Sequence, residues 1–171
     1  MKNYEYFAPI PETSEELKKL YKKLAILHHP DNGGGVEEMK KVNAEYESLF
    51  EHLKNIHTNA QGEKYTKETT ETPEHFINII NVIIKFDRVL IEIIGSFIWV
   101  SGETKSYKEQ LKTLGFKWSS NKSSWYLAPE GYKRRNHKNY TMDDIRGMYG
   151  SHEVEKQANK NTDFVPLPIC F

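Results

Sequence analysis

Tyr21-Lys22-Lys23-Leu24-Ala25-Ile26-Leu27-His28-His29-Pro30-Asp31-Asn32-Gly33-Gly34-Gly35 closes one helix and turns the chain toward another. Upstream, Thr13-Ser14-Glu15-Glu16 has the form of a capping box, with Thr13 as N-cap and Glu16 three residues on. Leu17, Leu20, Tyr21, Leu24 and Leu27 then recur at helical spacing as one apolar stripe, opposite Lys18, Lys19, Lys22 and Lys23. The helix must end near His28, because the residue before Pro30 is pushed out of the α region. Beyond the polar, glycine-rich loop, Met39, Val42, Tyr46, Leu49, Phe50 and Leu53 share one face of a second helix. Two apolar stripes of similar length joined by a short loop predict an antiparallel helical hairpin with His29-Pro30-Asp31 at its tip.

The 171 residues suffice for one ordinary domain or two small ones. Hydrophobic residues at 37% and charged residues at 28% give the balance of a soluble globular chain. A formal net charge of zero removes any whole-molecule bias toward nucleic acid or anionic membrane, so such a bias must come from a local patch. Cys170 is the only cysteine, which excludes an internal disulfide and a cysteine-built zinc site and fits a reducing compartment. Met1-Lys2-Asn3-Tyr4-Glu5 lacks the apolar core of a signal peptide. Asn78, Asn81, Lys85, Asp87, Arg88 and Glu92 interrupt the greasiest stretch, Phe76 to Val100, so it falls short of the roughly 20 apolar residues a membrane span needs. The expectation is a cytoplasmic protein with no membrane partner.

Composition divides the chain into residues 1–58 with helical periodicity, a polar linker at 59–72, a mixed α+β module at 73–154 and a polar tail at 155–171.

The residues flanking the tip carry a family pattern. Tyr21-Lys22-Lys23-Leu24-Ala25 begins eight residues upstream of His29, and Met39-Lys40-Lys41-Val42-Asn43-Ala44-Glu45-Tyr46-Glu47-Ser48-Leu49 follows in helical register. Over residues 4–54 the chain resembles the J domain of DnaJ-type co-chaperones. The resemblance implies that His29, Pro30 and Asp31 engage a DnaK-type ATPase chaperone and stimulate ATP hydrolysis there. The chain itself would then supply no catalytic group, metal or cofactor. Elementary chemistry agrees: the face of Lys18, Lys19, Lys22 and Lys23 can steer toward an acidic partner surface. Asp31 can pair with a partner arginine, and Pro30 stiffens the loop so that docking loses less entropy.

The departures from the family are specific. Pro9 and Pro11 leave little room for the usual short first helix, and no arginine-bearing fourth helix is visible in 51–72. A Gly/Phe-rich spacer and a cysteine-rich zinc module are both missing, so the resemblance is nearest to short J proteins of bacteria and their mobile elements. His28 and His29 make a poor metal site, since adjacent residues cannot easily ligate one ion and no cysteine or carboxylate cluster joins them. Gly33-Gly34-Gly35 is not followed by Gly-Lys-Ser/Thr, so it reads as a hairpin loop and not as a phosphate loop.

In the second half, Thr72-Pro73 caps a helix expected to run to Phe86 and to be largely buried. Val89–Ile94 and Phe97–Val100 flank a Gly95-Ser96 turn, Tyr107, Leu111 and Leu114 share a short helix closed by Gly115, and Phe116–Trp118 with Trp125–Leu127 read as a second hairpin. The expected arrangement is ββαββ backed by the 73–86 helix, in an α+β fold overall. Gly115-Phe116-Lys117-Trp118 with Trp125-Tyr126 resembles the C-terminal module found beside short J domains. Thr141–Tyr149 reads as a further short capped helix.

Lys105, Lys108, Lys112, Lys117, Lys122, Lys133, Arg134, Arg135 and Lys138 outnumber Glu109 and Glu130 in that half, with Tyr107, Trp118, Trp125, Tyr126 and Tyr132 interleaved. Basic groups neutralise phosphates and aromatic faces stack bases, which makes Lys105, Lys117, Lys122, Lys133, Arg134 and Arg135 candidate anion or nucleic-acid contacts. Against this, Trp118 and Trp125 read more simply as the core of a small module, and the lysines as a solvated face. The leading expectation is therefore an adaptor and not an enzyme: residues 4–54 recruit the chaperone, and the module chooses a client, host complex or nucleic acid. The competing readings are a phage- or plasmid-type J-fold protein that modulates a host complex, and a nucleic-acid-binding module carrying a J domain.

Overall fold

The computed structural model describes residues 4–134 and 138–150, so Arg135 and the expected tail lie outside the described residues. Helices α1 (Ser14–His28) and α2 (Val36–Leu53) pack as the expected hairpin. Thr13 Oγ1 accepts the Glu16 amide at 3.4 Å, while the Glu16 carboxylate takes the Glu12 amide at 2.8 Å, one residue before the position a capping box requires. Leu17, Tyr21, Leu24 and Ala25 are buried against Met39, Val42, Tyr46, Leu49 and Phe50. Leu27, expected on the same stripe, is 65% exposed: the buried face ends one turn before the helix does.

No helix forms over residues 4–11. The α2 carboxylate of Glu45 instead accepts the amides of Glu5, Tyr6 and Phe7 at 2.8, 2.9 and 3.3 Å, seating the fully buried Phe7 ring without helical hydrogen bonds.

The segment expected as a linker is structured. Strands β1 (Ile56–Thr58) and β2 (Lys64–Thr66) pair antiparallel, and the Asn59 side chain accepts the amides of Gln61 and Glu63 in the turn between them. Polarity hid this hairpin, because its strands bury little surface and are held by side-chain to backbone bonds.

Helix α3 (Pro73–Ile83) starts at Thr72, whose hydroxyl accepts the His75 amide at 3.4 Å. It stops three residues short of the expected Phe86, as the Lys85 and Phe86 amides switch to the carbonyls three residues back. Strands β3 (Val89–Ile94), β4 (Phe97–Gly102), β5 (Lys117–Ser119) and β6 (Ser124–Leu127) form an antiparallel sheet in the order β3-β4-β6-β5, with helix α4 (Lys108–Thr113) between β4 and β5 in sequence. Gly95-Ser96 is the two-residue turn, with Gly95 at φ 57° and Ile94 paired to Phe97. Helix α5 (Met142–Tyr149), capped reciprocally by Thr141 and Asp144, rests on β3.

The architecture is α+β with one continuous core. Phe76 of α3 lies 5.7 Å from the Tyr46 ring and 5.8 Å from Tyr21, so the helical hairpin and the sheet share their interior.

Candidate functional site

The His29-Pro30-Asp31 loop is built by the backbone. His29 takes extended angles (φ −66°, ψ 133°) at the end of α1, as the following proline demands, and its amide still donates to the Ala25 carbonyl at 2.9 Å. Pro30–Asn32 makes one 3₁₀ turn. The His29 carbonyl accepts the amides of Asn32 and Gly34 at 2.9 and 3.0 Å, and the Asn32 side chain donates to the Ile26 carbonyl at 3.0 Å. His29 Nδ1 accepts the Asp31 amide at 3.2 Å, which leaves its proton on Nε2 in this tautomer. His29 is thus mostly buried and fixed, while Pro30 and Asp31 face solvent. The Asp31 carboxylate stands 3.7 Å from His29 Nδ1 and 3.3 Å from Lys85 Nζ at the end of α3.

The four lysines expected on a solvated face part company. Lys18 is buried, pairs with Glu71 at 2.6 Å and sits 5.3 Å from the centre of the Phe76 ring. Lys22 is 2% exposed and donates to the Ile91 carbonyl of edge strand β3 at 2.8 Å. Lys19 donates to the Tyr149 and Gly150 carbonyls at the end of α5, where a cation complements the helix dipole, and its partial burial pushes its pKa down. Only Lys23 of the four remains exposed. The expectation of an open basic face is therefore corrected: the apolar stripe of α1 meets α2, and its lysine face meets the sheet module, so the helix is covered on two sides.

Glu15 anchors the same contact and was visible only as part of a capping sequence. Buried at 5% exposure, its carboxylate accepts from His57 Nδ1 at 2.7 Å, the Thr58 amide at 3.2 Å and the Ser96 hydroxyl at 2.9 Å, joining α1 to β1 and to the β3–β4 turn. Glu92 of β3, 1% exposed, receives both arms of Arg146 at 2.8 Å and holds α5 down. Pairs separated by 54 residues carry no local signal in the sequence.

The basic residues of the second half do not form one patch. Lys105 and Lys117 line a cleft of about 790 Å³ beside α4, together with Lys108, Lys112, Trp118 and Trp125. Lys122 lies over the Trp99 ring at 5.7 Å, on the sheet face opposite the Trp118–Trp125 pair. Lys133 and Arg134 are exposed, the latter donating to Asn139 at 3.1 Å. Trp125 is core, as expected, but Trp118 is 47% exposed. Among the described residues no helix is long and apolar enough to cross a membrane.

The two-helix hairpin thus presents the His-Pro-Asp turn at its tip. The chain is 43% identical over 56 residues to DnaJ protein homolog 2 of Allium porrum, covering 33% of this chain and 13% of the relative. It is 34% identical over 79 residues to chaperone protein dnaJ A6 of Oryza sativa subsp. japonica (45% and 19%), and 43% identical over 61 residues to chaperone protein dnaJ 2 of Arabidopsis thaliana (34% and 15%). These similarities make the N-terminal part of the chain a J-domain region of the DnaJ type. The chain spans less than a fifth of the length of these plant relatives. No family model and no solved structure matches it.

Proposed function

We propose that the chain is a J-domain co-chaperone that stimulates a DnaK-type ATPase through Pro30, Asp31 and the edge of His29, with Lys23 as the accompanying cation. The observation that carries this reading is the fixed loop geometry, in which backbone hydrogen bonds hold His29 and leave Pro30 and Asp31 accessible. A prefixed turn loses little entropy on docking. Because Lys18, Lys19 and Lys22 serve the chain's own module, the chaperone contact is narrower than the family pattern implies, and the module is left to select a client or partner.

The test is steady-state ATP hydrolysis by a purified DnaK-type chaperone titrated with this protein. Wild type should raise the rate several-fold, His29→Gln should abolish the increase without moving the melting temperature, and Lys23→Glu should weaken it. An unaltered rate at saturating wild type, or equal stimulation by His29→Gln, would sink the proposal.

The covered lysine face also favours a second reading, a J-fold protein that binds and modulates a host complex without driving ATP hydrolysis. Tight capture of such a complex that survives His29→Gln, with no ATPase effect, would select it.

A further inference from the structure

We propose that the cleft between α4 and the β5–β6 edge is a binding site for single-stranded nucleic acid. Its lining is cationic and aromatic: Lys105, Lys108, Lys112 and Lys117 share it with Phe116, Trp118 and Trp125. Phe116 and Trp125 are buried, and Trp118 packs edge-to-face on Trp125 with ring centres 5.5 Å apart. Nearly half of the Trp118 surface still faces solvent, so a flat face is held in place before any ligand arrives. Burying that ring would have been favourable, and the fold leaves it at the open edge strand instead.

The charges point to a phosphate chain. Lys105, Lys108 and Lys112 follow one another at helical spacing, which sets them along a line of roughly 10 Å, the axial reach of two or three successive phosphates. Glu103 at the mouth pairs with Arg88 at 3.5 Å, and Glu109 with Lys112 at 3.2 Å. Among the described residues Lys105 and Lys108 have no acidic partner. A row of cations beside a fixed indole suits an unpaired base stacked on Trp118 with its backbone along α4. In a duplex each base is already stacked on its neighbours, and an acidic peptide would leave the indole unused. The cleft draws no residue from α1, α2 or the His-Pro-Asp loop, so this inference stands apart from the co-chaperone reading.

Fluorescence anisotropy of a labelled 20-nucleotide thymidine oligomer, titrated with the full chain between about 50 and 200 mM salt, tests it, with tryptophan quenching as a second readout. Binding should weaken steeply with salt. Trp118→Ala should lower affinity at least about fivefold and remove most of the quenching, as loss of one stacked base requires. Lys105→Glu with Lys108→Glu should weaken binding further and flatten the salt slope, while His29→Gln should change nothing. Trp118, Lys105 and Lys108 are solvent-exposed while His29 is mostly buried, and far-UV circular dichroism checks that each variant keeps its fold. Three results overturn the proposal: no binding at the lowest salt, affinity indifferent to Trp118→Ala, or equal displacement of the oligomer by a blunt duplex or by polyglutamate.

Discussion

Two glycines and one tyrosine carry the sharpest expectations at the residue scale. Gly33 sits at φ 86°, and a Cβ on Gly34 would come within 2.2 Å of the His28 carbonyl carbon and oxygen. Gly33 and Gly34 are therefore steric requirements of the turn behind His29. Gly34→Ala should lower the melting temperature and abolish ATPase stimulation together, unlike His29→Gln, which should remove only the second. Tyr46 is fully buried, its hydroxyl has no hydrogen-bond partner among the described residues, and burial pushes its pKa well above the usual phenol value. An acid whose folded pKa is raised contributes stability that is present below the unfolded value, near 10, and lost as pH rises through the folded one. Above about pH 10 the unfolded chain sheds this proton and the folded one keeps it, so stability falls by up to about 1.4 kcal/mol per pH unit. Tyr46→Phe should be neutral or stabilising at pH 7 and should shallow that alkaline loss, as urea midpoints from pH 8 to 11 would report.

At the scale of elements, two contacts decide how the module sits. Arg146 is the counter-charge of a carboxylate that is 1% exposed, so Arg146→Ala leaves Glu92 buried and unpaired. The expected loss is about 3 kcal/mol in urea denaturation, most of it recovered when Glu92→Leu and Arg146→Met are combined. Lys85 at the end of α3 occupies the carboxylate that a partner arginine would use. Both groups of that pair are about half exposed, so its worth is at most about 1 kcal/mol. Lys85→Ala should accordingly lower the concentration of this protein that half-saturates ATPase stimulation by up to about fivefold. A higher half-saturating concentration would mean that Lys85 belongs to the chaperone contact itself.

Over the whole molecule, the shared interior of Tyr21, Tyr46 and Phe76 makes the hairpin and the sheet one cooperative unit. Heating should give a single transition by near- and far-ultraviolet dichroism. A fragment ending at residue 72 should keep helix but lose near-ultraviolet signal and bind a hydrophobic dye, because removal of Phe76 uncovers both tyrosines. By itself the sequence determined the helices of the hairpin, the stop at Pro30, the Gly95-Ser96 turn and the His-Pro-Asp tip, since capping, periodicity and proline sterics act over a few residues. Only the tertiary structure decided that Glu15, Lys18 and Lys22 face inward, that the polar segment after α2 pairs as the β1–β2 hairpin, and that Trp118 is left open while Trp125 is not. The inward turn of those three charged side chains rests on partners 42 to 81 residues away, and a charged side chain reads the same in sequence whether water or a distant carbonyl receives it.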